Sequence, residues 1–392
     1  MLQLSADSTF HYELLRLLGT SRDLGADIAE VLDAAGRIVP GDFQSWCTEF
    51  DALGRRARAK AIEEDKRQHA ISARNAFFRA ADFFLHGDPK DSRIVSLWSA
   101  ATACFDAAIR ELPVPGQRAR IHAKGFDIPA VFYRAARDEH PRPTILMCNG
   151  YDGSQEEMLH VSGLAAIARG FNVVTFDGPG QPSVIREQGL TFIDEWENVL
   201  APVIDWCVAE PRIDASRLGL LGYSFGGWLI ARAAAREHRI TALACVDGIF
   251  DAGGAFFSAV PAPMQKLFKE GNAAALNAAV KQAMAMRTNL RWAVQHGCWV
   301  FGCATPFDFL QRTQSMTLAG IVDDIACPVL VCDAVDDEFF KGQPATLAKA
   351  LGARATHKIF TQEDSASAHC HVGTSDLLNS TVLGWFEDTL AS

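Results

Sequence analysis

The sequence predicts an α/β fold: a mostly parallel sheet with helices on both faces and helical segments added to it. Three observations predict it. Short apolar strands alternate with helical stretches between residues 116–247 and again over 321–392, the pattern of successive strand–helix–strand units. Leu218-Gly-Leu-Leu-Gly-Tyr-Ser-Phe-Gly-Gly227 reads as a buried strand, a sharp turn and the start of an Ala-rich helix. Residues 1–115 and 248–320 carry helix-like sequence that does not alternate with strands. The 392 residues exceed what one core usually holds, so the expected division is an N-terminal helical segment (1–115), two parts of the sheet core (116–247 and 321–392) and a helical insertion (248–320). The N-terminal part is expected to be either a separate helical domain or part of a cap.

Taken in order, Asp42 to Phe50 and Arg55 to Arg79 are charged and amphipathic, and Asp91-Ser92 can start a helix running through Trp98 to Ile109. Pro113-Val-Pro-Gly116 ends this helical part. Ala119 to Ala123 and Ile128 to Tyr133 alternate on either side of Gly125, which predicts an antiparallel hairpin. Thr144–Cys148 is a short buried strand, Leu159–Arg169 a helix, Asn172–Phe176 the next strand and Glu195–Ala209 the next helix. Thr241–Val246 follows as a strand. After the insertion come a strand at Cys327–Cys332, a helix at Pro344–Leu351, a strand at Ala355–Phe360 and a last helix at Leu377–Leu390. The insertion is rich in aromatics, among them Phe256, Phe268, Trp292, Trp299, Phe307 and Phe309. It is expected to lie over the C-terminal edge of the sheet, where open α/β sheets bind ligands, with most of these rings in its own core.

The chemistry starts at Gly222-Tyr-Ser-Phe-Gly226, a G-x-S-x-G between strand and helix. That context makes Ser224 a candidate nucleophile on a strained turn. The backbone N–H of Phe225, at a helix start, is a candidate oxyanion donor. A serine hydroxyl needs a base to take its proton, and the base needs an acid behind it. Asp337 lies 113 residues after Ser224, beyond the strand Cys327–Cys332. Asp333, Asp336 and Glu338 compete with it, and the turn Ala334-Val-Asp-Asp337 favours Asp337. His369 and His371 follow the last strand, and His369 is favoured as the base. The second oxyanion donor is expected from the loop Asn149 to Gly153, with the Tyr151 N–H as candidate. Asp152 in that loop is either a turn residue accepting backbone N–H groups or a group that binds a polar part of a substrate or handles a proton.

Other classes are disfavoured. A net charge of −10 without a basic run argues against a nucleic-acid or anionic-membrane surface. No stretch of about 18 uncharged apolar residues is present to span a bilayer, and Met1 to Phe10 lacks the pattern of a secretory signal. Ten cysteines without a C-x-x-C pair read as buried free thiols of a cytoplasmic protein. Asp177-Gly-Pro-Gly-Gln181 lacks the third glycine of a dinucleotide fingerprint and is expected to be a turn beneath the site. Neither a cofactor nor a metal is expected: His369, Cys370 and His371 are too close in the chain to close a tetrahedral site by themselves.

Several segments resemble one branch of the α/β hydrolases, which combines an all-helical N-terminal segment with a helical insertion. They are Asn149-Gly-Tyr-Asp-Gly-Ser-Gln-Glu-Glu157, Asp177-Gly-Pro-Gly-Gln-Pro182, Gly222-Tyr-Ser-Phe-Gly-Gly227, Asp336-Asp-Glu-Phe-Phe340 with Gly342-Gln343, and Ala368-His-Cys370. The branch includes 2,6-dihydropseudooxynicotine hydrolase, a carbon–carbon bond hydrolase, and the fungal yellowish-green-type hydrolases that shorten polyketide chains. The resemblance implies the α/β-hydrolase fold, a helical cap formed jointly by the N-terminal segment and the insertion, and a triad of Ser224, Asp337 and His369. It places Asp152 where the pyridine-substrate enzyme has an assisting glutamate, one methylene longer. It further implies cleavage of a C–C bond of a β-diketone-like group, or a related acyl bond, in a medium-sized ketone or polyketide-like substrate. An esterase, thioesterase or acyltransferase using the same triad is the alternative. The apolar cap suggests a homodimer.

Overall fold

The computed structural model describes residues 2–85 and 92–391. Its strands are β1 (Gln117–Ala123), β2 (Phe126–Tyr133), β3 (Arg142–Cys148), β4 (Asn172–Phe176), β5 (Ile213–Tyr223), β6 (Ala242–Val246), β7 (Val329–Ala334) and β8 (Ala355–Phe360). They form one sheet of eight in the order β1-β2-β4-β3-β5-β6-β7-β8. β1 and β2 make the expected hairpin, with Ala123 opposite Phe126, and β2 pairs antiparallel with β4. Every other pairing is parallel. This is the α/β-hydrolase fold.

The inner strands β3, β4, β6 and β7 are buried on both faces, which is why they read as largely apolar runs. Successive side chains still point to opposite sides. Leu146, Cys148 and Leu220 join the cluster under Trp196, Phe225 and Trp228. Ile145, Met147, Leu221 and Tyr223 join the cluster on the other face with Phe105, Val382 and Phe386. β5 begins at Ile213, earlier than its apolar run suggests. Its first half carries Asp214, Ser216 and Arg217, and Ile213 pairs with Arg142 across a register shift.

The N-terminal part holds the helices Ser8–Gly19, Ile28–Ala35, Phe43–Lys66, Ala70–Leu85 and Ile94–Arg110. Three of them start at an aspartate whose carboxylate accepts first-turn N–H groups: Asp7, Asp27 and Asp42. A helix start at Asp91 lies outside the described residues. Phe10 of the first helix packs its ring on Phe43 and Trp46, at 5.6 and 4.8 Å between centroids. The segment shares a core with the sheet through Phe78, Phe105 and Ile109.

The helical run after β3 begins at Gln155, capped by the Ser154 hydroxyl, and contains a π-helical turn at Leu159–Gly163 before it ends at Ala168. A short helix at Pro182–Gln188 was not expected from the sequence. The insertion forms five helices: Ala252–Ser258, Ala262–Lys269, Ala273–Met286, Thr288–Val300 and Pro306–Thr313. Arg291 of the fourth lies over the Phe43 ring at 4.6 Å and donates to the Gly41 carbonyl at 2.7 Å. The insertion and the N-terminal helices therefore meet directly.

Candidate active site

β5 ends at Tyr223, and the helix Phe225–Ala234 begins two residues later. Ser224 makes the reversal alone, at φ 56° and ψ −131°, a conformation that L-residues rarely adopt and that costs on the order of 1–3 kcal/mol. Its N–H donates to the Val246 carbonyl at 2.8 Å, and its carbonyl accepts from Gly227 N–H at 2.8 Å. The flanking glycines are required by close approach. A Cβ on Gly222 would lie 2.6 Å from the Gly226 carbonyl oxygen, and one on Gly226 would lie 2.7 Å from the carbonyl oxygens of Cys148 and Asn149.

His369 sits on a short turn after β8 and reaches the serine: Nε2 is 2.8 Å from Ser224 Oγ. Its other ring nitrogen, Nδ1, is hydrogen-bonded to Asp337 Oδ2 at 2.9 Å. Asp337 follows β7, and its second oxygen accepts the Phe339 and Phe340 N–H groups at 2.6 and 2.9 Å. The competing residues lie elsewhere. Asp333 pairs with His357 at 3.0 Å, Asp336 accepts from Gln362 at 2.6 Å, and Glu338 lies on the cavity wall. His371 is turned away, with Nδ1 at 2.7 Å from the Ala366 carbonyl and its ring 4.1 Å from that of Phe360. Burial by itself would lower the His369 pKa, but the Asp337 charge leads the neighbours that raise it well above the usual imidazole value.

A second carboxylate, not singled out from the sequence, faces the same nitrogen. Asp247 follows β6 with φ 58° and is fully buried. Its Oδ2 lies 2.9 Å from His369 Nδ1 and also accepts the Cys370 N–H. The signal was present in the sequence: Asp247 occupies the first position after a strand at the sheet's C-terminal edge, the rule that located Asp337. Asp247, His369 and Cys370 bring one oxygen, one nitrogen and one sulfur within 4.8 Å of one another. Three donors fall short of a closed four-ligand site, and both His369 nitrogens are already in hydrogen bonds.

The loop after β3 lies against the serine turn. Phe225, as the first residue of its helix, has an N–H with no acceptor one turn back. The Gly150–Tyr151 segment adjoins it: the site of a Cβ on Gly150 is 3.0 Å from the Phe225 nitrogen. Gln181 braces this loop from below, with Nε2 donating to the Asn149 carbonyl at 2.5 Å and Oε1 accepting from Gly178 N–H at 2.8 Å. From above, the Tyr151 hydroxyl donates to the Ala293 carbonyl at 2.7 Å, and His296 Nε2 is 2.9 Å from the Tyr151 carbonyl. The insertion thus holds the loop directly.

A cavity of about 300 Å³ opens above Ser224 and His369. Phe256, Trp292, Phe309, Phe339 and Phe340 contribute to its walls. Phe256, Trp292 and Phe309 are therefore more than the core of the insertion, whereas Phe268 packs on Phe257 and Phe307 at 5.4 and 5.0 Å. The first helix supplies Tyr12, Glu13 and Arg16 to the same cavity, which the sequence did not signal. Arg16 donates two parallel hydrogen bonds to the Glu157 carboxylate, from Nε and Nη2 at 2.6 Å each, and pairs with Asp152 at 3.0 Å and Glu13 at 3.4 Å. Asp152 is thus an ion-pair partner at the cavity edge. Burial pushes the Glu13 carboxyl up to about 7, against the attraction of Arg16.

Residues 33–311 match the family described as Esterase FrsA-like. The chain belongs to the FrsA-like family. Hydrolase LUC6 of Fusarium sp is 29% identical over 420 aligned positions, covering 99% of this chain and 98% of that one. The 20-hydroxy-prefusarin hydrolase FUS2 of Gibberella moniliformis is 30% identical over 423 positions, covering 98% and 97%. Among solved structures, the 2,6-dihydroxy-pseudo-oxynicotine hydrolase superposes with a TM-score of 0.77 at 19% identity, covering 95% of each chain. With its FrsA-like relatives, the protein is a hydrolase. Among the described residues, no helix is long and apolar enough to cross a membrane.

Proposed function

We propose that the protein is a serine hydrolase that cleaves a C–C bond of a β-diketone-like group in a medium-sized, largely apolar ketone or polyketide-like substrate. The observation that carries the reading is the hydrogen-bonded line Ser224–His369–Asp337 at the floor of the aromatic cavity. In this reading His369 Nε2 takes the Ser224 proton as Oγ adds to one carbonyl carbon. The oxyanion that forms is held by the Tyr151 and Phe225 N–H groups. The C–C bond then breaks, and its electron pair leaves as an enolate because the second carbonyl accepts it. The imidazolium returns its proton to that enolate. A water, deprotonated by His369, releases the acyl group from Ser224 as a carboxylic acid. Asp152, paired with Arg16, lies where it can bind a polar end of the substrate. The reading draws on the relatives' names as hydrolases, one of them a 20-hydroxy-prefusarin hydrolase.

A second reading, an esterase, thioesterase or acyltransferase on the same residues, is favoured by the esterase description of the family. Mass spectrometry of the products from matched aryl 1,3-diketones and aryl esters separates the two. Selective diketone cleavage supports the first, and ester cleavage alone the second. Ser224→Ala is expected to lower turnover roughly 10⁴-fold or more with the fold intact, and to abolish labelling by a serine-directed phosphonate. Turnover retained in that variant removes Ser224 from the mechanism.

A further inference from the structure

We propose that His369 is served by two carboxylates, and that Asp247 is a second positioning residue for the imidazole beside Asp337. This extends the reading of His369 as the base for Ser224 and rests on it.

The geometry comes from three elements. Asp337, after β7, hydrogen-bonds to Nδ1 and is itself fixed by two backbone N–H groups. Asp247, after β6, stands at the same 2.9 Å from that nitrogen. The turn that carries His369 is tied to Asp247 as well, through the Cys370 N–H. Asp247 and Cys370 both hold positive φ values, 58° and 53°. Two strained residues meeting at one hydrogen bond indicate that the surroundings enforce this contact. The remaining Asp247 oxygen has no hydrogen bond and lies 3.8 Å from His371 Nε2. A fully buried carboxylate needs a compensating charge, and His369 is the nearest group that can carry one.

The other titratable groups around the ring do not replace it. Tyr12, from the first helix, has its ring 6.3 Å from that of His369, and burial raises its hydroxyl pKa well above the usual value. Burial pushes the Cys370 thiol up to about 12 and raises that of Cys332, on β7, well above its usual value. These three are neutral near neutral pH. The charges facing the ring are therefore those of Asp337 and Asp247. Burial opposes the ionised form of Asp247, but the attraction of His369 holds it below the usual carboxylate range. Asp337 fixes the tautomer by its hydrogen bond, and Asp247 adds a second negative charge that stabilises the imidazolium and anchors the turn beneath it.

The test is an NMR titration of ¹⁵N-histidine-labelled protein, with the His369 resonance assigned by its loss in His369→Gln. Each carboxylate favours the protonated ring, so removing either lowers its pKa. Asp247→Asn, which keeps an oxygen for the Cys370 N–H, is expected to lower the His369 pKa by about 1–2 units. The acidic limb of kcat/KM for p-nitrophenyl butyrate is expected to move to lower pH by the same amount. Asp337→Asn alone should keep the His369 pKa above that of the protein carrying both Asp247→Asn and Asp337→Asn. An Asp247→Asn titration that overlays the wild type, even with a lowered Tm, overturns the proposal and leaves Asp247 a packing residue. If Asp247→Asn does not fold, Asp337→Asn decides alone. A His369 pKa still at or above about 6.5 supports a second carboxylate, and a fall below it overturns one. Phosphonate labelling of the wild type at Ser224 judges the nucleophile separately, since the titration does not depend on it.

Discussion

At the scale of single residues, the site is built by close approach. A Cβ on Gly226 would lie 2.7 Å from the Cys148 and Asn149 carbonyl oxygens, so Gly226→Ala drives a methyl into backbone that cannot rotate away. The expected cost is about 1–3 kcal/mol in stability, read as a shift of the urea midpoint. Turnover should fall as well, because the displaced loop carries Tyr151. A variant with wild-type midpoint and turnover would show that the β3 loop yields freely. The same scale explains which acid and which histidine meet Ser224. Asp333, Asp336 and Asp337 are close in sequence, but only Asp337 lies on the inner side of the turn, with its carboxylate over the Phe339 and Phe340 N–H groups. His369 and His371 are two residues apart with Cys370 at positive φ between them, and they point to different partners.

At the scale of elements, the first helix matters most. It is amphipathic in the ordinary sense, with Phe10, Leu14 and Leu17 buried, yet its other residues Tyr12, Glu13 and Arg16 face the cavity and not bulk water. Arg16 neutralises part of the charge of Glu13, Asp152 and Glu157, which lie around it. Arg16→Gln leaves those carboxylates without their shared cation. We expect a loss of about 3 kcal/mol, larger at pH 8 than at pH 5.5, because Glu13, with its pKa near 7, is protonated at the lower pH and ionised at the higher. Chemical denaturation at the two pH values measures this. A loss that is equal at both would remove Glu13 from the cluster.

At the scale of the whole molecule, a buried acid inside the N-terminal helical segment makes stability depend on pH. Asp82 lies within hydrogen-bond reach of Thr20 at 3.2 Å, beyond the end of the first helix, and is almost completely buried. Burial pushes its carboxyl up to about 8, and the nearby Glu157 adds to this. Its folded pKa is above the unfolded value of about 3.9, so its favourable contribution is complete below that value and is lost as pH rises toward 8. Asp82→Asn should therefore stabilise the protein increasingly from pH 5 to pH 8, by roughly 2–4 kcal/mol across that range. Parallel Tm–pH curves for the two proteins would refute this.

The α/β-hydrolase sheet, its antiparallel hairpin and a helical insertion, expected at 248–320 and observed as helices over 252–313, were all legible in the sequence. Each depends on local signals: apolar runs of strand length, glycines at the turn, and helical periodicity. The same signals singled out Ser224, because its neighbours must be small wherever a strand reverses into a helix. What the sequence left open were questions of direction and distance. Local pattern did not say that Asp247, at the end of β6, would face His369 across β7, nor that Tyr12 and Arg16, more than 200 residues before Ser224, would line its cavity. It also could not say which aromatics of the insertion would turn toward the cavity. Those outcomes depend on how the sheet sets strand next to strand and how the insertion meets the N-terminal helices. Periodicity specifies which face of an element is apolar, and only the packed fold determines what that face, or the opposite one, meets.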